Sequence, residues 1–468
     1  MVMIQSKWSN GNEIKDTGDI GQLVIDENSI TFHIEGYGEP FARNFVGSDG
    51  GHYYKVYTYG EVSKDLTGVF YHVTKAFLYN GENYKDFIGE NIVGITSFSF
   101  EIPELADWLK LHSVELLRDK DGSMIIYEKK LSPIIIKEAN PKVYIKYEKK
   151  LPFLNGNDKI EMTLRNAPRI FIEYEDEVDD SVVRGDLYKI MRFFALLIGR
   201  ISYADDIRLT LANSSLKMWF FINTDFSYNT TSTAYHLRNR TDAEKIFGNL
   251  QYYFEKWYFF SQNDNFSFLQ DVFFRLNGKK STNIEELFLN YCKFLEGYDL
   301  RVSEDEEKAN VLKDKLNEVL KTTEIKTLMS PIFKEVGSSY KPKDIGKWIS
   351  TGFLGRVGLQ DRIRRLDEKY LQIIKNNSSD IINTDDSNEF YSKITNTRNY
   401  YSHFKPDNSG ILSYGEMYRT LELLEALIIS ILFSEMGMSI EVIKGIMIAD
   451  DKYWPLLYHH RKYDEMKI

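Results

Sequence analysis

The stretch "NTRNYYSHFKPD", residues 396–407, sets an arginine, an asparagine beside it and a histidine five residues after the arginine just ahead of a proline. Asp385, Asp386 or Ser387 can cap a helix beginning near 387, and Pro406 cannot continue one, so 387–403 is predicted as a helix with the polar trio in its last turns. On that helix Asn399 and His403 share a face one turn apart, and Arg398 sits about 100° to one side of Asn399. What surrounds the segment decides the fold.

Working outward, the neighbours on both sides are helical. Apolar residues recur at helical spacing over 242–260, 283–298, 304–321, 342–350, 354–375 and 415–436, with a shorter helix after Ser439. "RTDAEKIF", 240–247, offers Thr241 as N-cap with Glu244 completing a capping box. The polar run "NNSSDIINTDDSN", 376–388, is predicted as an exposed loop. The most apolar run, "LEALIISILF" at 424–433, carries Glu425 and is far short of the ~20 residues that span a bilayer, so it reads as a buried helix and no membrane role is expected.

Before about residue 235 the periodicity is that of strands. In "QLVIDENSITFHIEG", 22–36, Leu23 and Ile25 precede a polar turn, and Ile30, Phe32 and Ile34 then alternate with Thr31, His33 and Glu35, which predicts a hairpin. "GSDGGH", 47–52, lacks the lysine of a phosphate loop and reads as another hairpin loop. Two helices interrupt the strands, a short one near "PELADWLKLH" and a stronger one at "GDLYKIMRFFALLIGR".

The fold class is therefore α+β: a β-rich N-terminal domain (1–235), a helical connector (236–280) and an all-α helical bundle (281–468). A boundary near 235 predicts that residues 236–468 fold alone. The net charge of −10 argues against a protein that coats nucleic acid non-specifically, so any nucleic-acid contact must be local. The single cysteine, Cys292, excludes a disulfide framework and a cysteine metal cluster. No basic-then-apolar leader precedes Trp8, and a cytoplasmic location is expected.

The trio suits phosphodiester chemistry that needs neither metal nor cofactor. A histidine, with an ordinary pKa near ~6.5, exchanges protons at neutral pH, and an arginine offers a fork to phosphate oxygens that gain charge in the transition state. "RNYYSH" resembles the Arg-Asn-x-x-x-His signature of HEPN-domain ribonucleases, and "IEELFLNYCKFLEGY", 284–298, resembles the first core helix of that domain. A β-rich domain followed by such a bundle resembles the layout of the ApeA-like abortive-infection proteins of bacteria. The resemblance implies an anti-phage endoribonuclease, a HEPN-like fold that dimerises through its helical bundle, and Arg398, Asn399 and His403 as catalytic residues. It also implies cleavage of host RNA, tRNA being the expected kind, to a 2′,3′-cyclic phosphate and a 5′-hydroxyl. The N-terminal domain would then sense a phage-derived trigger or hold the nuclease in check.

A basic stretch supports an RNA partner. Between 341 and 365, Lys341, Lys343, Lys347, Arg356, Arg362, Arg364 and Arg365 face only Asp344 and Asp361. Lys347, Arg356, Arg362, Arg364 and Arg365 are candidate phosphate contacts, against the alternative of a solvated helix face balanced by Asp367 and Glu368. Tyr400 and Tyr401 are candidate stacking residues, against the alternative of core or interface tyrosines. "HHRKY", 459–463, has no partner at ligand spacing and is read as a polar tail; Cys292 is read as buried. The rival to a nuclease is a non-catalytic helical dimerisation module with a ligand- or peptide-binding β domain, in which Arg398 and His403 satisfy a buried network.

Overall fold

In the computed structural model, which describes residues 2–11, 14, 18–26, 29–35, 43–49, 52–64, 68–80, 91–111, 114–118, 121, 124–128, 131–149, 166–201, 203–212, 217–222, 228–229, 240–277, 283–303, 311, 314–315, 318–319, 322–335, 357–384, 386–403 and 409–458, alternation becomes a twelve-stranded sheet. Its first six strands are β1 (Val2–Asn10), β2 (Asp19–Asp26), β3 (Ser29–Glu35), β4 (Asn44–Ser48), β5 (His52–Lys64) and β6 (Gly68–Asn80). They pair in the order β6-β3-β2-β1-β4-β5, and β5 returns to β6, so this part of the sheet closes on itself as a barrel. The expected hairpin is there, with Leu23 opposite Phe32 and Ile25 opposite Ile30, all four buried.

Trp8 sits in the barrel core edge-on to Phe32, ring centroids 4.8 Å apart. The strand opposite it carries Gly47, where a Cβ would come within 2.8 Å of the indole. Only a missing side chain leaves room for the ring.

β6 is long enough to serve two structures. Val69–His72 pair with β3 of the barrel, whereas Lys75–Tyr79 pair with β15 (Lys217–Ile222), from which the open sheet continues. That continuation runs through β14 (Asp205–Leu211), β7 (Ile95–Glu101), β12 (Asn166–Val178) and β11 (Lys142–Lys149) to β10 (Ile134–Lys137). Two small pairs, β8 (Val114–Arg118) with β9 (Met124–Glu128) and β13 (Arg200–Ile201) with β16 (Tyr228–Asn229), are the remaining strands among the described residues. Among them Arg169 is fully buried on β12, and donates to Glu101 and Asp206, each at 3.0 Å, and to Ser99. Burial alone would raise the Asp206 carboxyl, yet Arg208 and Arg169 hold it below its usual range.

The first helices belong with this sheet. After α1 (Leu105–Leu109), α2 (Asp180–Ile198) starts at Asp179, whose carboxylate accepts from the Ser181 and Val182 amides, and buries Leu187, Ile190, Phe194 and Leu197. The chain then enters α3 (Ala243–Ile246) and, through a 3-10 turn, α4 (Leu250–Gln262). The expected capping box is not formed. Asp242 occupies the cap position without a side-chain bond, because the Thr241 hydroxyl is buried, accepts from Trp108 Nε1 and donates to the Leu197 carbonyl. α4 packs on α2: Phe254 lies 5.0 Å from Phe193, Trp257 Nε1 donates to the Lys189 carbonyl, and the Tyr258 hydroxyl donates to Asp186.

Beyond α5 (Asp264–Asn277) come α6 (Ile284–Val302), α7 (Thr323–Glu335), α8 (Leu359–Lys369), α9 (Ile373–Asn376), α10 (Ser378–Ile382), α11 (Ser387–His403), α12 (Tyr414–Glu435), α13 (Ile440–Ala449) and α14 (Trp454–Tyr458). α11 has the expected bounds, and Asp386 caps it by accepting from the Asn388 amide. The run 376–388 is not the loop expected: α9 and α10 occupy much of it, and Asn377, Ser378 and Ile382 are buried. Asn377 explains this, donating to the Ile373 and Leu456 carbonyls and so replacing water as partner for its amide. Segments 304–321 and 342–350 fall largely or wholly outside the described residues.

The chain divides into one unit of Met1–Gln262, Phe274–Lys280 and Phe433–Lys452 and another of Asn263–Phe273, Ser281–Leu432 and Tyr453–Ile468. α3, α4 and α13 thus belong with the strands. Arg240 shows why: its fully buried guanidinium donates to the Leu196 carbonyl and to Asp450, which ends α13. Among the described residues no helix is long and apolar enough to cross a membrane.

Candidate active site

The second unit centres on α6, α8 and α11, which pack on one another. α6 is capped by Asn283, which accepts from the Glu285 amide, and buries Phe288, Tyr291, Cys292, Leu295 and Tyr298. α11 buries Phe390, Tyr391, Ile394 and Thr397, a helical stripe. Two polar anchors fix it: the Tyr391 hydroxyl donates to the buried Asp367, which also accepts from the Ile374 and Lys375 amides, and Thr397 Oγ1 accepts from the Leu412 amide at 2.8 Å. The helix carrying the motif is therefore held at its middle and at the chain segment that follows it.

Arg398 lies one turn beyond Ile394, so it follows the buried stripe and points at α6. Its Nη2 donates to Glu296 Oε2 at 2.7 Å and its Nη1 to Asn399 Oδ1 at 3.1 Å, while its Nε is buried without a partner. The guanidinium keeps 22% of its surface exposed, and Glu296 keeps 31%. Arg398 and Asn399 are thus brought together. His403, the last residue of α11, is exposed and makes no hydrogen bond among the described residues. A preoriented cation and an exposed imidazole on one helix end are groups that can grip a phosphate and move a proton.

Glu296 was not among the residues picked out by sequence. Its neighbour one turn on did carry a signal of its own: Asp299 falls on the apolar stripe of α6, where a carboxylate needs a cationic partner. It has two. Asp299 accepts from Arg362 at 2.9 Å and from Arg365 at 2.5 and 3.0 Å.

That corrects the reading of Arg362 as a phosphate contact. Its side chain is 5% exposed, locked to Asp299 and to the Val357 carbonyl, and no phosphate backbone reaches it. Arg364 and Arg365 are about 40% exposed, Arg364 resting on Asp361 and Asn388. Lys347 and Arg356 lie outside the described residues. Tyr400 and Tyr401 are half-buried, ring centroids 5.1 Å apart at 86°, and burial raises the Tyr401 hydroxyl's pKa. Cys292 is buried as expected, its thiol pushed up to about 12 by burial, which makes it inert. Among the described residues no three His, Cys, Asp or Glu side chains gather in a way that could hold a metal ion.

A helical bundle in which a capped helix ends in Arg-Asn-x-x-x-His is the architecture of the HEPN class. Residues 289–442 match the family described as Apea-like HEPN, and residues 48–257 match ApeA N-terminal domain 1. No curated protein and no solved structure matches the chain. The chain belongs to the ApeA-like HEPN anti-phage proteins. A β-rich N-terminal region followed by a helical HEPN region is the arrangement that the sequence predicts.

Proposed function

We propose that this protein is a metal-independent endoribonuclease that cuts host RNA during phage infection, tRNA being the substrate kind we favour. The observation that carries the reading is that one helix end holds both a guanidinium fixed by Glu296 and an exposed histidine that makes no hydrogen bond among the described residues. RNA supplies its own nucleophile, so the protein need only orient groups, move protons and balance charge. The 2′-oxygen attacks the adjacent phosphorus and loses its proton to a base; the bond from phosphorus to the 5′-oxygen breaks and that oxygen takes a proton from an acid. The products are a 2′,3′-cyclic phosphate and a 5′-hydroxyl. His403 serves as base or acid, Arg398 stabilises the charge on the phosphoryl oxygens, and Asn399 steadies Arg398. DNA lacks the nucleophile and should survive.

A single chain offers one such histidine, so the active unit is a homodimer through the helical bundle. The β-rich unit receives the phage-derived trigger and controls the bundle.

The rival, a non-catalytic dimerisation module, draws on the Arg398–Glu296 pair, which would also suit a structural role. The test is to incubate purified protein with total RNA in EDTA and sequence the new 5′-hydroxyl ends. Discrete ends that vanish with His403→Ala support the nuclease; none above control, with a well-folded protein and trigger-containing infected lysate added, would exclude it.

A further inference from the structure

The barrel is not closed along its whole length. β4 stops at Ser48, whose partner on β1 is Lys7, yet β1 runs on through Val2–Ser6 with β2 on one side only. Among the described residues nothing pairs with the other edge of Val2–Ser6, and the Ser6 hydroxyl, donating to the Ser48 carbonyl at 2.6 Å, is the last tie before the seam opens. An unpaired strand edge offers a row of amides and carbonyls to any extended chain.

Beside that edge lies a cavity of about 400 Å³. Met3, Ile4 and Gln5 line it from β1, and Asp49, His52 and Tyr54 from the β4–β5 hairpin. Asp49 is fixed there: it accepts from the His52 amide at 2.9 Å and from the Tyr54 hydroxyl at 2.6 Å, and lies 3.3 Å from His52 Nδ1. Burial, and then Asp49 itself, raises the Tyr54 hydroxyl's pKa, so it stays a neutral donor. The carboxylate keeps 36% of its surface exposed, and among the described lining residues it is the one fixed charge. Apolar walls from Met3, Ile4 and Leu78 lead to that anion, which suits a side chain with an aliphatic stem and a cationic tip.

We propose that this seam is a docking site for an extended peptide segment, which adds along Val2–Ser6 in the place β4 vacates and lays an arginine or lysine against Asp49. Main-chain bonds to β1 supply affinity and the Asp49 contact supplies selectivity, the division of labour seen wherever a peptide completes a sheet. The proposal gives a place and a chemistry to what the β-rich unit recognises, and it stands whether or not the chain cuts RNA.

The probes are fluorescein-labelled pentapeptides of alternating valine and threonine with arginine at each position in turn, titrated onto the full chain by anisotropy. At least one register should bind and protect the amides of Val2–Ser6 from hydrogen exchange. N-methylation of alternate peptide amides should abolish that binding, and Asp49→Asn should weaken it about tenfold. If Asp49→Asn also lowers the melting temperature, replacing the peptide's arginine with citrulline reads the same contact on unaltered protein. The proposal is overturned if no register binds, if citrulline and arginine peptides bind alike, or if n-butylguanidinium alone binds equally well without protecting β1, which would mark the cavity as a small-cation site.

Discussion

Arg398 and Glu296 meet at 2.7 Å, one on α11 and the other on α6, and this contact is what aims the guanidinium. Both side chains are partly exposed, so the pair is worth under about 1 kcal/mol to stability. Its value is positional. Glu296→Ala is expected to leave the melting temperature nearly unchanged and to lower the RNA cleavage rate by about 10- to 100-fold, as misplacing a catalytic group does. Glu296→Gln, which still accepts a hydrogen bond from Arg398, should recover most of the loss. Single-turnover cleavage by the two variants decides it; equal rates for both and for wild type would make the pair incidental.

His403 is exposed and makes no hydrogen bond among the described residues, so His403→Ala should change stability by no more than about 0.5 kcal/mol while reducing cleavage by about 10²- to 10⁴-fold. Arg398→Ala should share the catalytic loss. Thermal melts beside cleavage assays, and growth of cells expressing each variant, separate chemistry from folding. Wild-type rates in a folded His403→Ala protein would sink the assignment.

Arg362 and Arg364 sit two residues apart and should behave oppositely. Removing Arg362 strands part of the buried Asp299 charge, so Arg362→Ala is expected to cost about 3 kcal/mol of stability. Arg364, tied only to exposed partners, should cost almost nothing when changed to Ala. If Arg364 touches RNA, its loss lowers the slope of log affinity against log salt by about one. Denaturant melts and binding titrations at several salt concentrations check both halves.

Cutting at 235 should fail to give a free-standing nuclease. Phe254, Trp257 and Tyr258 are buried against α2, and Arg240 is bonded to the end of that helix, so residues 236–468 would expose a large aromatic surface. The fragment is expected to aggregate, read by sedimentation. A soluble, cooperatively melting fragment would show that α4 needs no sheet.

Much of this was legible in the sequence because period and caps are local. α11 could be read end to end, since Asp386 and the stripe from Phe390 to Thr397 are both written within it. The hairpin of β2 and β3 was legible for the same reason. What could not be read depends on residues distant in sequence. Thr241 resembles a cap until Trp108 and Leu197 claim its hydroxyl, and Arg362 resembles a surface cation until Asp299 is found beneath it. Glu296 is one exposed-looking acid among many until α11 brings Arg398 to it.

A site shared by the two chains of the proposed homodimer would make a quantitative claim. Transesterification needs one group to take the 2′-hydroxyl proton and another to protonate the 5′-oxygen, and each chain carries a single histidine at the motif. A two-fold pair of bundles would set two His403 side chains about one phosphate channel, one as base and one as acid. A dimer with one His403→Ala chain then lacks one of the two and is inactive. Mixing one part wild type with three parts His403→Ala under subunit exchange leaves only about one-sixteenth of dimers with both histidines, whereas independent sites would keep about one-quarter of the activity. Cleavage should therefore fall about four times further than dilution alone requires. Activity that tracks the wild-type fraction, or full activity in a particle of monomer mass by light scattering, would rule the shared site out and leave His403 to act alone.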